Sequence, residues 1–254
     1  MGHIEAPRYM LPADEGGEES LAERSLLLPG GVFNRAGRLC REVRVRALTG
    51  ADEEVLFERG AAGSARVSGF LARAIEAIDG LDAPIDEALL GEMLLGDRDY
   101  LLLRLRQIEL GDAMHQVMRC PACAQKVDVD FAISELPVRR LAVPRPAYRI
   151  VLAGTPALVR LPTGADQQAV EALALANPSA ANTLLFSRVV LEFDDRARSP
   201  DEVRDWPPAL RAELAVWLDA HAPGPDLFLD LACPHCKSDM SYAFDLHSFF
   251  LPSA

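Results

Sequence analysis

The chain carries two Cys-Pro-x-Cys knuckles, Cys120–Cys123 and Cys233–Cys236, and both belong to a longer internal repeat. The stretch CPACAQKVDVDFAIS (120–134) aligns with CPHCKSDMSYAFDLH (233–247) at an offset of 113. Upstream, Thr49-Gly50-Ala51-Asp52 recurs as Thr163-Gly164-Ala165-Asp166 at an offset of 114. Two separated matches at nearly one interval mark a tandem duplication. This restricts the fold more than any other feature, because each half must build one and the same unit and end on a pair of thiols.

Both units read alike. A β-hairpin opens each, at roughly 31–48 with its turn at Arg35-Ala36-Gly37, and at roughly 148–161 with its turn near Gly154. Alternation at Val43, Val45 and Ala47 is the two-residue period of a strand. The T-G-A-D stretch then starts a helix, with Thr as cap and Asp favouring the positive end. It lacks the glycine spacing and the Lys of a phosphate loop. In the first unit, Val67, Leu71, Ile75 and Ile78 share one face of a helix predicted over 64–79, stopped by Gly80. Helices are expected over 85–95 and 97–110, and in the second unit over 166–176, 179–193 and 208–220. Each unit closes on a strand, the knuckle and an alternating strand.

The expected fold is therefore α+β: two tandem pseudo-symmetric repeats (β-hairpin, helices, knuckle hairpin) joined through one zinc ribbon. Residues 1–25 read as a disordered acidic tail, with Glu5, Asp14, Glu15, Glu18, Glu19 and Glu23 against Arg8 and Arg24. Repeat 1 spans 26–136, a linker with Pro137, Pro144 and Pro146 spans 137–147, and repeat 2 spans 148–254.

Five cysteines are present, and Cys40 stands apart as a small buried hydrophobe. The start of the chain has no basic segment leading into an apolar run, so a cytoplasmic setting is expected and thiols stay reduced. Paired CxxC knuckles then read as metal ligands. Structural Zn²⁺ takes four tetrahedral ligands and suits thiolates, which points to Cys120, Cys123, Cys233 and Cys236 around one ion. Arg119, Lys126 and Lys237 flank the knuckles and would offset the excess negative charge. His115, His235 and His247 read as surface or packing residues rather than ligands. A rival reading takes Cys-Pro-His-Cys as a redox dithiol, but such dithiols work at helix N-termini and this one leads into an alternating strand. A disulfide is the third reading.

No HExxH, GxSxG or P-loop occurs, so no catalytic set is expected. Asp194-Asp195 and Asp128 with Asp130 read as solvated carboxylates, and Trp206 and Trp217 as helix packing. A net charge of −12 argues against general affinity for nucleic acid, although zinc ribbons also occur as nucleic-acid and transcription modules. No stretch approaches the ~18 apolar residues of a membrane span.

The order of motifs is itself distinctive. LLLPGG leads into a hairpin, V-R-x-R-x-L-T-G-A-D-E-E follows, then L-L-x-G-D-R-D-Y-L-L-L-R-L-R and C-P-x-C. A second V-R-L-P-T-G-A-D and a closing C-P-x-C-x-x-x-M-x-Y-x-F-D-L complete it. Over about residues 26–250 this resembles the baseplate hub assembly chaperones of T-even-type contractile phages, in the version found in phage-tail-like contractile injection systems. The resemblance implies a non-enzymatic role in building the baseplate or its hub. It implies hub, spike or neighbouring baseplate proteins as partners, and the four knuckle cysteines as the metal positions.

Overall fold

A computed structural model describes residues 24–56, 63–197 and 199–243. Most of the expected acidic tail, His247 and the rest of 244–254 lie outside these residues. The first half opens with β1 (Ser25–Phe33) and β2 (Leu39–Val45), then α1 (Gly50–Leu56), α2 (Gly63–Ala74) and β3 (Ile75–Ile78). Helices α3 (Glu87–Glu92) and α4 (Leu95–Leu110) lead to the knuckle hairpin of β4 (Ala113–Arg119) and β5 (Lys126–Ala132). After a short β6 (Val138–Arg139), the second half repeats the order with β7 (Tyr148–Leu152), β8 (Thr155–Val159), α5 (Gly164–Ala176), α6 (Pro178–Val189) and β9 (Val190–Phe193). Then come α7 (Pro200–Arg204), α8 (Pro208–His221), β10 (Gly224–Pro225), and the hairpin of β11 (Phe228–Ala232) and β12 (Asp239–Ala243).

Each half holds a three-stranded antiparallel sheet, β1-β2-β3 and β7-β8-β9. The third strand corrects the sequence reading in both. The helices expected over 64–79 and 179–193 stop at Ala74 and Val189, and the chain continues as β3 and β9. Ile75 and Ile78 are buried, but in pairing with β2 rather than on a helix face. Apolar residues three apart satisfy the helical period, and only the non-local pairing of strands decides otherwise.

Strand β1 bulges between Leu27 and Val32, where the sequence reads Leu-Pro-Gly-Gly. Gly31 has φ +95°, which side chains rarely adopt, and a Cβ there would lie 2.6 Å from Arg41. The bulge exposes main-chain groups that the rest of the protein uses.

Two main cores form. The first gathers Leu28, Val43, Phe70, Leu71, Leu90, Leu101 and Leu105 with their neighbours, and the second gathers Leu152, Val159, Phe186, Val189, Val203, Trp206 and Leu214. Helix α4 buries Tyr100, Leu101, Leu102, Leu103 and Leu105, covering more than one face, as befits a helix packed from several sides. The halves also lend side chains to each other. Leu227 and Leu229 pack on the first core, while Leu94 and Leu141 pack on the second. The Pro-rich segment is not a free spacer. Its β6 pairs with β10, Arg140 donates to the Leu27 carbonyl, and the Leu141 N–H bonds the Pro29 carbonyl at 3.0 Å.

Candidate metal centre

The two knuckles are turns between antiparallel strands, and they share one backbone design. The Cys120 N–H bonds the Gln125 carbonyl at 2.9 Å, and the Ala124 N–H bonds the Cys120 carbonyl at 2.8 Å. In the second knuckle Cys233 N–H reaches Ser238 O at 2.9 Å, and Lys237 N–H reaches Cys233 O at 2.9 Å. Ala124 and Lys237 occupy the left-handed region, with φ of 59° and 62°. That conformation costs a residue with a Cβ roughly 1–2 kcal/mol, and it closes both turns so that each pair of thiols points to one side.

The hairpins face each other across a small core of Met118, Val127 and Met240. Cys120 and Cys233 are buried in it, Cys123 is half-buried and Cys236 is exposed. Between knuckles, Cys120 Sγ lies 3.6 Å from Cys236 Sγ, and Cys123 Sγ lies 3.8 Å from Cys233 Sγ. All four sulfurs fall within 4.8 Å of one another. Thiolates at ~2.3 Å from a tetrahedral ion would stand about 3.8 Å apart, close to the two distances between knuckles, so these four could hold one metal ion.

Sulfurs this close compete for protons. The Ser238 hydroxyl, with its N–H, pulls the Cys236 thiol down to about 6. The N–H of Cys236 lowers Cys233. The Gln125 N–H draws Cys123 down, but burial and the three other thiols outweigh it and leave that group at about 12.

Among the other sequence candidates, His235 touches the Lys126 carbonyl at 3.2 Å and so bridges the knuckles. His115 lies between Asp130 and Asp128, at 2.8 and 3.8 Å, on exposed side chains of the first hairpin. Arg119 reaches toward the Ala124 carbonyl. Cys40 is buried with its thiol 3.7 Å from the Arg38 carbonyl. Trp206 packs against Phe193 at 4.8 Å between ring centres.

The sulfurs do not join the halves alone, and here the sequence reading was too narrow. The segment Gly96-Asp97-Arg98-Asp99-Tyr100 forms a buried joint. A Cβ on Gly96 would lie 1.6 Å from the Pro223 carbonyl oxygen, so only glycine lets the second half come this close. Asp97 is fully buried and accepts from the Gly30 and Gly31 N–H groups, both at 2.7 Å. Burial pushes its carboxyl up to about 6, against the pull of those two N–H groups and of Arg41 and Arg140. Arg98, 1% exposed, donates to the Leu90 and Ser64 carbonyls and lies against Gly164 of the second half. Tyr100 lies under Arg140. Glu171 of α5 reaches across to the start of α2, accepting from the N–H groups of Gly63 and Ser64.

The T-G-A-D stretches start helices as the sequence reading has it, and their Asp residues do more than cap. Asp52 is buried and accepts from Arg46, Arg73 and Thr49, with the Arg46 bonds doing most to hold its carboxyl well below the usual range. Asp166 is buried and accepts from Arg160, Arg188 and Thr163. Burial alone would raise Asp166, but these bonds outweigh it and hold the carboxyl at about 2. The clue in the sequence was the Arg six residues before each Asp.

The chain thus has a mixed α and β fold with two packed cores, polar joints between its halves and a cluster of four thiols. The chain belongs to the family described as T4 bacteriophage base plate protein, whose model matches residues 33–185, more than half of its length. The match runs from the end of β1 into α6, taking in both T-G-A-D turns, the Gly96–Tyr100 joint and the first knuckle. It supports a baseplate-related structural or assembly role. No curated protein and no solved structure matches the chain. Among the described residues, no helix is long and apolar enough to cross a membrane.

Proposed function

We propose that this chain is a non-enzymatic assembly or scaffold protein for the baseplate, or its central hub, in a phage-tail-like contractile injection system. The observation that carries this reading is the family match, which spans the buried joint as well as the first knuckle. In this reading the protein acts in the cytoplasm, and its partners are baseplate, hub or spike subunits. The chaperone family of T-even-type phages is the finer assignment that the motif order supports.

The four thiols are a structural Zn²⁺ site in the same reading. Two thiols from each half would make the ion one brace among several, beside the Gly96–Tyr100 joint and the Glu171 cap. The duplication is read as ancestral. The repeated sheet order, the matching Asp–Arg clusters and the twin left-handed turns support it. The dithiol-enzyme reading loses ground because Cys233–Cys236 sits in a strand-to-strand turn rather than at a helix N-terminus.

The test is deletion of the gene in the bacterium that carries it, followed by electron microscopy of the particles. Tubes and sheaths without complete baseplates are expected. Intact contractile particles would remove the assembly role. Metal analysis of the purified chain gives about one zinc per molecule in this reading, and reversible dithiol chemistry with no bound metal would favour the redox alternative.

A further inference from the structure

A groove of about 580 Å³ opens on the first half, between the tip of the β1–β2 hairpin and the segment leading into α3. Its walls are braced by hydrogen bonds. The Asn34 carboxamide oxygen accepts from the N–H groups of Ala36 and Arg38, and its amide donates to the Gly80 carbonyl at 2.8 Å. On the other side Asp86 caps α3 through the Leu89 N–H at 2.9 Å. The floor is apolar, with Phe33, Leu81, Pro84 and Leu89 among its lining residues.

The rim has a sign. Asp82, Asp86 and Glu92 line it against the single Arg35, with Arg38 just outside beside Gly80. Asp82 and Glu92 form no ion pair among the described residues, whereas Asp52 and Asp166 are each held by two arginines. A slot with apolar lining and unpaired carboxylates beside it selects by chemistry. It suits an extended backbone that places an aliphatic or aromatic side chain inward and a Lys or Arg beside it.

We infer that this groove docks an extended segment of another protein chain, one that carries an apolar side chain flanked by Lys or Arg. The inference deepens the assembly reading and rests on it only for which protein supplies the segment. Hydrogen-bonded walls reduce the ordering cost on this side of the contact, and the rim charges favour basic over acidic partners.

The experiment uses the purified full chain and a fluorescein-labelled octapeptide alternating Lys with Leu, alongside its Glu-for-Lys counterpart. The Lys peptide binds and the Glu peptide does not. Asp82→Lys with Glu92→Lys weakens binding about tenfold, since each exposed pair contributes at most about 1 kcal/mol. The same charge change at two exposed sites of the second half outside the groove lining, Asp195→Lys with Asp230→Lys, leaves binding within about twofold. Amide shifts on titration fall on 33–36 and 81–92, and circular dichroism confirms that both variants are folded. Equal loss in the two variants would reduce the effect to the overall negative charge and overturn the proposal. So would binding of both peptides alike, shifts elsewhere, or no binding. The assay contains no baseplate protein, so its failure is separable from that of the deletion experiment.

Discussion

In the first half a buried Asp52 sits between Arg46 and Arg73, and in the second a buried Asp166 sits between Arg160 and Arg188. Around these matching clusters the packing differs. Among the described residues the first core joins 24 buried residues and the second joins 12, so the first half has the larger apolar support. The arginines also differ in cover. Arg46 and Arg73 are 38% and 50% exposed in their side chains, against 24% and 36% for Arg160 and Arg188. The polar frame is common to both halves while the packing is not. The second half therefore leans more on its ion pairs and on what ties it to the first.

The strongest way to break this comparison is to remove the tie at the thiols. Cys120→Ser or Cys236→Ser leaves a bound metal one ligand short, and apparent binding energies of structural zinc are on the order of 10 kcal/mol. Loss of zinc and a large drop in melting temperature are expected for the whole chain. A variant that keeps its metal and melts like wild type would contradict the site.

Next in size are Asp166→Ala and Asp52→Ala, which leave two arginines facing an empty place. Removing one member of a fully buried ion pair costs about 3 kcal/mol, and the partial exposure of these arginines brings the expected loss to about 2 kcal/mol. Asp166→Ala should cost the more of the two, because its arginines are better covered and its core is smaller. Urea unfolding of both variants checks the order, and a larger loss at Asp52 would reverse the comparison.

The pH dependence sharpens it further. Asp166 is held at about 2, below its ordinary 3.8, so its contribution is complete above 3.8 and disappears as pH falls through about 2. Asp97 runs the other way. It is raised from 3.8 to about 6, so its contribution is complete below 3.8 and disappears as pH rises through about 6. Each effect is on the order of 2 kcal/mol. Asp166→Asn should flatten the acid limb of a stability profile, and Asp97→Asn the decline between about pH 4 and 6. Profiles that keep those slopes would remove the assignment.

The smallest effect compares the knuckles. Ala124→Gly and Lys237→Gly each relieve a left-handed residue, with an expected gain of up to about 1 kcal/mol. Equal gains, read by thermal melts of the zinc-loaded protein, would mark the two turns as equivalent. A loss at either would show that the side chain earns its place by another contact.

Much of this architecture was legible in the sequence, and the reasons are local. Paired cysteines at short spacing, hairpin alternation around the Ala36–Gly37 turn and the T-G-A-D helix starts all act within a few residues. What escaped was non-local. Strands β3 and β9 are four residues each and exist only through pairing with a strand far back in the chain. The Gly96–Tyr100 segment stood out as a motif, but its partners lie in a bulge 66 residues earlier and at Pro223. Arg73 and Arg188 meet Asp52 and Asp166 from 21 and 22 residues away, beyond the reach of any helical period.

The spacing of the thiols also sets a timetable. Cys123 must wait for Cys233, 110 residues further on, to leave the ribosome. At ordinary rates of synthesis that delay is on the order of ten seconds. The first half, with the larger core, is equipped to hold its shape through that interval. Meanwhile its two unpaired sulfurs stay open to oxidants and stray metals, so in the proposed zinc reading the reducing power and zinc supply of the producing cell should govern how much folded protein it yields.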